Sequence, residues 1–193
     1  VSYQLDSSVS SGNLNFNPDG TYSFDPAGDF DYLAQGESAD VTFNYTAKDD
    51  NDSVSNTSTI TITVTGVNDA PIAFDDIGST NKSNSLSVVA GSGLLANDTD
   101  KDTNDTHYIS AVNGVAGNVG STVIGTNGGS FTINNDGSYT FNPGTDFDDL
   151  GSGQSRTTSV TYTNSDDNGA ENSASLTITV SGAAPVVIDI NGD

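Results

Sequence analysis

Phe131-Thr132-Ile133-Asn134-Asn135-Asp136-Gly137-Ser138-Tyr139-Thr140-Phe141 alternates apolar and polar residues on both sides of an Asp-Gly pair. Period-two alternation builds strands with one apolar face. Asp-Gly between two such runs signals a hairpin, because glycine accepts the positive φ that the turn demands. The same hairpin is written earlier in the chain, with residues 14–16, then Pro18-Asp19-Gly20, then Tyr22-Ser23-Phe24.

The correspondence extends well beyond the hairpin. Pro26, Asp29, Phe30, Asp31 and Leu33 return as Pro143, Asp146, Phe147, Asp148 and Leu150. Asp49-Asp50-Asn51 returns as Asp166-Asp167-Asn168, and Ile60-Thr61-Ile62-Thr63-Val64 as Leu176-Thr177-Ile178-Thr179-Val180. The offset is 117 residues up to Asn51/Asn168 and 116 from Ile60/Leu176 onward. A period that long is a whole domain rather than a solenoid unit of roughly 20–50 residues. The chain reads as a slice of a tandem array, an arrangement suited to mechanical or adhesive work.

Val41-Thr42-Phe43-Asn44-Tyr45 and its counterpart at 159–163 alternate in the same way, and no stretch sustains a helical period. The predicted fold is all-β, a Greek-key Ig-like sandwich of about seven strands per domain. Gly66-Val67-Asn68-Asp69-Ala70-Pro71 marks a boundary, since Pro71 blocks continuation of the preceding strand. Residues 67–183 then form one complete repeat. Residues 1–66 match only the second half of a repeat, or a smaller sandwich completed in another way. Residues 184–193 begin the next repeat or form a tail.

Charge narrows the partners. Twenty-six acidic residues face four Lys or Arg, a formal net charge of −22. Such a surface repels nucleic acid and anionic membranes, and it strains the compact state unless cations offset it. No apolar run approaches the ~20 residues of a transmembrane helix, so no membrane insertion is expected. The chain has no cysteine, and a secreted domain without disulfides needs another staple, for which bound metal is suited.

The densest group of hard oxygen ligands is Asp98-Thr99-Asp100-Lys101-Asp102-Thr103-Asn104-Asp105. Calcium takes 6–8 oxygens at ~2.3–2.6 Å, so carboxylates at alternate positions of a curling loop suit it. The opening D-x-D-x-D is EF-hand-like, but Thr103 and Ile109 stand where that loop needs Gly and Glu. A non-helical calcium loop using Asp98, Asp100, Asp102 and Asp105 is therefore expected. The repeated pairs Asp49/Asp50 and Asp166/Asp167 are further candidate ligands; the competing reading is that Asp simply populates turns. Asp29/Asp31 and Asp146/Asp148 are weaker candidates on the same reasoning.

Val67-Asn68-Asp69-Ala70-Pro71 resembles a cadherin interdomain linker. With Leu94-Leu95-Ala96-Asn97-Asp98-Thr99-Asp100, the D-G-S-Y-x-F hairpin and the Asp-Asp-Asn loop, the chain resembles the VCBS/cadherin-like repeats of giant bacterial adhesins of RTX type. That resemblance implies an Ig-like sandwich strung in arrays on secreted or cell-surface proteins, stiffened by calcium at the linkers. It implies linker ligands at Asn68 and Asp69 and loop ligands at Asp98, Asp100 and Asp102. The second junction, Ala183-Ala184-Pro185, lacks the acidic pair, and the glycine-rich RTX nonapeptide is not present.

The expected function is a non-catalytic, calcium-stabilised extender of a bacterial surface adhesin. Its partners would be calcium ions, neighbouring repeats and, through the adhesin, a surface glycan or protein. The alternative is a calcium-dependent carbohydrate- or peptide-binding module of such an adhesin. An enzyme is disfavoured: there is one histidine, His107, no cysteine nucleophile, and no tryptophan for sugar stacking beside paired carboxylates. The threonines of 59–65 do not recur at a solenoid period, so β-propensity explains them rather than ice binding. Six Asn-x-Ser/Thr sequons are expected by chance in a chain this rich in Asn, Ser and Thr.

Overall fold

A computed structural model describes residues 1–182; the Ala183-Ala184-Pro185 junction and the stretch 184–193 lie outside the described residues. The chain forms two compact units. Unit 1 comprises Val1–Asp69 together with Lys101–Asp105, and unit 2 comprises Ala70–Asp100 and the residues from Thr106 onward. Both are all-β.

Unit 1 contains β1 (Ser2–Ser7), β2 (Asn13–Phe16), β3 (Tyr22–Asp25), β4 (Ser38–Lys48) and β5 (Ser58–Thr65). An antiparallel sheet runs in the order β1-β4-β5, and β2 and β3 make the hairpin foreseen at Asp19-Gly20. Gly20 sits at φ 86°, and the Asp19 carboxylate accepts the Thr21 N–H at 2.9 Å and its hydroxyl at 2.7 Å. Those two bonds hold the Asp19 carboxyl below its usual range. The hairpin packs on the sheet through Phe43, whose ring meets those of Phe16 and Tyr22 at 5.8 and 5.2 Å. Leu33, Ala34, Val41 and Phe43 are buried.

Unit 2 contains β6 (Asp76–Asn81), β7 (Leu86–Val88), β8 (His107–Val112), β9 (Thr122–Ile124), β10 (Ser130–Ile133), β11 (Tyr139–Asn142), β12 (Ser155–Asp166) and β13 (Glu171–Ser181). Two four-stranded sheets form, ordered β6-β13-β12-β8 and β7-β11-β10-β9. Alternate residues of each turn inward. Phe131, Ile133, Tyr139 and Phe141 of one sheet share a core with Ile109, Val160, Tyr162, Leu176, Ile178 and Val180 of the other. This is an Ig-like and cadherin-like sandwich, with eight strands. Five of the six strand pairings in these two sheets are antiparallel; β6 instead lies parallel to β13, from Leu176↔Asp76 to Ser181↔Asn81. Gly78 permits that approach, since a Cβ there would come within 2.6 Å of the Ile178 side chain.

The two units share a plan. β4 and β5 correspond to β12 and β13, and β2 and β3 to β10 and β11. β1 takes the place of β8: Tyr3 donates its N–H to Pro18 O at 2.9 Å as Ile109 donates to Asn135 O at 2.8 Å, and Pro18 and Asn135 are 117 residues apart. Both pairings also carry a bulge, near Leu5/Ser7 in one and near Thr163/Asn164 in the other.

Candidate metal centre

Unit 2 concentrates acid at one end of the sandwich. Asp98 accepts the Phe74 N–H at 2.8 Å through one oxygen and the Asn164 side-chain amide at 2.9 Å through the other. Burial nevertheless pushes its carboxyl above the usual range, outweighing both hydrogen bonds and the neighbouring His107. Asp76 rises to about 6, chiefly by burial and further by the charges of Asp98 and Asp75, against the bond donated by Tyr162. The Tyr162 hydroxyl lies 2.8 Å from both Asp76 Oδ2 and Phe74 O, and burial followed by Asp76 pushes it well above a normal phenol.

Asp100, with its side chain 4% exposed, meets His107 Nε2 at 3.2 Å. His107 pairs across the sheet with Asp166, so the Asp166-Asp167-Asn168 turn lies at the same end. Asp166 is fully buried, and its Oδ1 accepts the N–H groups of Asn168 and Ala170, each at 2.9 Å. Asp167 accepts the Thr106 N–H at 3.3 Å. Asn164 is fully buried as well, and among the described residues its Oδ1 finds no hydrogen-bond donor. A buried acceptor without a donor costs about 1–3 kcal/mol, and here it belongs to the amide that orients Asp98.

In unit 1, Asp102 is 2% exposed and accepts the Asp69 N–H at 2.7 Å. Thr103 bonds Tyr32 O through its N–H and its hydroxyl, and the Asn104 amide donates to Glu37 at 2.7 Å. The Lys101 ammonium stands 3.1 Å from Asp31 and 3.8 Å from Asp69, and these two acids raise its pKa. Asn68 Oδ1 is buried. Asp69 and Asp102 are thus in contact, with the Lys101 ammonium supplying a positive charge beside Asp69.

Asp49 and Asp50 sit elsewhere. The β4–β5 register runs from Tyr45↔Ser58 to Ser38↔Thr65, so the 49–52 turn is at the opposite end of that sheet from Asn68. Asp49 Oδ1 accepts the Asn51 and Ser53 N–H groups at 2.8 and 2.9 Å, the same turn-closing task as Asp166. Asp29 and Asp146 likewise each receive a glycine N–H at 2.7 Å, from Gly12 and Gly129. Among the described residues no three His, Asp or Glu side chains are gathered in a metal-holding arrangement. The donor set still fits calcium. The carboxylate and amide oxygens on offer are hard ligands of the kind calcium takes, and two of the half-buried acids, Asp76 and Asp98, are pushed upward by burial.

A family model described as the bacterial cadherin-like domain matches residues 68–182. The chain belongs to that family. No curated protein matches it. Among solved structures it is similar to Drosophila N-cadherin EC1-4, with 16% identity over 95% of this chain and 42% of that one, at a TM-score of 0.50. It is also similar to human mucin-like protocadherin EC1-2, with 11% identity over 94% of this chain and 84% of that one, at a TM-score of 0.54. At these identities the likeness is one of fold, and the chain spans under half the length of the N-cadherin structure. Cadherin-like domains serve structural and adhesive roles, and no catalytic family is indicated. Among the described residues no helix is long and apolar enough to cross a membrane.

In this cadherin-like repeat, sequence reasoning overlooked Asp76, Tyr162 and Asn164. Asn164 carried a signal: it stands where the first copy has Ala47, a polar residue replacing an apolar one inside a buried strand. Asp76 carried none, because its burial depends on β6 lying against β13.

Proposed function

We propose that this chain is a calcium-stabilised extender segment of a bacterial surface adhesin of the VCBS/RTX kind, holding a distal binding domain away from the cell. The proposed ligands are Asp98, Asp100, Asp102 and Asp105 of the loop and Asn68 and Asp69 of the linker, with the Asp166/Asp167 and Asp49/Asp50 turns contributing second sites. The observation that carries this reading is the Asn164–Asp98 pair, a buried acceptor lacking a donor joined to a carboxyl raised by burial, in a chain of net charge −22.

The bound ion would supply positive charge and fixed coordination. The residues do the rest: Phe74 N–H and Asn164 orient Asp98, and His107 holds Asp100. With the carboxylates neutralised, mutual repulsion falls and the folded state gains stability by linkage, since the unfolded chain binds the ion far less well. Partners would be calcium and neighbouring repeats, with surface glycans or proteins met by other parts of the adhesin.

Calorimetric titration of the whole chain with calcium tests the assignment. Asp100→Ala should weaken the tightest site by about tenfold or more, on the scale of lost metal-site support. An unchanged isotherm would remove residue 100 and its loop from the site.

A further inference from the structure

In unit 2 the sheet β6-β13-β12-β8 turns one face to the core and the other outward. Thr158, Val160 and Tyr162 of β12 and Leu176, Ile178 and Val180 of β13 are buried, so the residues that alternate with them lie on the outer face. The outward β12–β13 pairs run from Ser155↔Ser181 to Thr163↔Ser173, and every one joins two hydroxyl residues. β6 extends the face from Ile77, beside Thr177, to Asn81, beside Ser181. β8 adds Ala111 beside Thr163.

No residue of this patch carries a charge, in a chain with 26 acids and a net charge of −22. Charge returns at its margins. Asp75 accepts the Ser175 N–H at 2.8 Å, and Glu171 accepts the Ser110 and Ser165 hydroxyls at 3.2 and 2.9 Å. The matching face of unit 1 is interrupted by an acid: Asp40 stands where unit 2 has Thr157, and it accepts the Thr63 hydroxyl at 2.6 Å. Beside the central Ser159↔Thr177 pair of the uncharged face sits Ile77, 87% exposed. A large apolar side chain, a row of hydroxyls and no charge make this face unlike the acidic loops at its margins.

We propose that this outer face docks a second copy of the same chain, face to face. Two molecules of this net charge repel one another, and an uncharged patch is where they meet with least repulsion. A two-fold contact needs a self-complementary surface. Hydroxyls supply one, since each both donates and accepts, and Ile77 supplies apolar area to remove from water. At about 3.3 Å per residue and about 4.8 Å between strands, the four strands cover roughly 550 Å². Two copies then bury about 1,100 Å², the low end for a specific contact, so the dimer is weak and reversible. None of these residues is a proposed calcium ligand, so failure here leaves the function proposed above standing.

The test is sedimentation equilibrium of the whole chain in calcium-containing buffer, from about 10 μM to about 1 mM. The expected result is a monomer–dimer equilibrium that tightens as added salt screens the mutual repulsion. Thr177→Glu should weaken the dimer at least about tenfold, because like charges then meet across the contact. An equimolar mixture with Thr177→Lys should restore it, which separates lost docking from misfolding. Thr61→Glu, the equivalent change in unit 1, should leave the equilibrium unaltered. A chain that stays monomeric at the top of the range overturns the proposal. So would a dimer indifferent to Thr177→Glu, a mixture of the two folded variants that stays monomeric, or a monomer that instead binds neutral dextran in a manner abolished by Thr177→Glu.

Discussion

Asp76 shows how a single residue couples fold to charge. Its folded pKa of about 6 lies above the unfolded value near 3.8, so the folded state binds the extra proton. The associated stability is fully present below about pH 4 and is lost as pH rises through about 6. In EDTA, unit 2 is expected to melt at lower temperature at pH 7 than at pH 5. Asp76→Asn, which keeps an acceptor for the Tyr162 hydroxyl, should flatten much of that slope and raise the melting temperature at pH 7, leaving the part that Asp98 contributes. Scanning calorimetry across this pH range checks it; identical slopes in both proteins would contradict it. At this scale the sequence was only partly readable. Acidic loops are obvious in the chain, but whether an Asp closes a turn, as Asp49 and Asp166 do, or is pushed upward by desolvation, as Asp98 is, depends on burial. Burial is set by strands distant in sequence.

At the scale of elements the sequence was far more legible. The Asp19-Gly20 and Asp136-Gly137 hairpins and the alternation of β12 and β13 are local features, and local rules found them. The parallel docking of β6 on β13 was not foreseen, because residues 76–81 show no apolar alternation and owe their place to Gly78 and the edge of β13. Nor did any local signal assign residues 101–105 to unit 1 while Asp98 and Asp100 stay with unit 2. Leu94 gives the element-level prediction. It is fully buried over the Gly137 turn, so Leu94→Ala should destabilise unit 2 by about 2–5 kcal/mol, read by urea denaturation. A loss below about 1 kcal/mol would mean the leucine does not lock β7 and the hairpin together. Gly93→Ala should be comparably damaging, since a Cβ at residue 93 would fall 2.2 Å from Gly137 O.

For the whole molecule, 26 acids against four basic residues put the net charge far from zero, and that self-repulsion works against the compact state. Asn68→Ala combined with Asp69→Ala should reduce the number of calcium ions bound while each unit still unfolds cooperatively; an unaltered stoichiometry by calorimetry would exclude the linker as a ligand source. The most direct test is thermal unfolding of the whole chain in millimolar calcium and again after EDTA. A site held at 100 times its dissociation constant adds about 2.7 kcal/mol, which in domains of this size raises the melting temperature by several degrees. The account predicts such an upward shift with calcium, reduced by Asp100→Ala. Coincident melting curves with and without EDTA would contradict it and leave the acidic clusters as solvated turns.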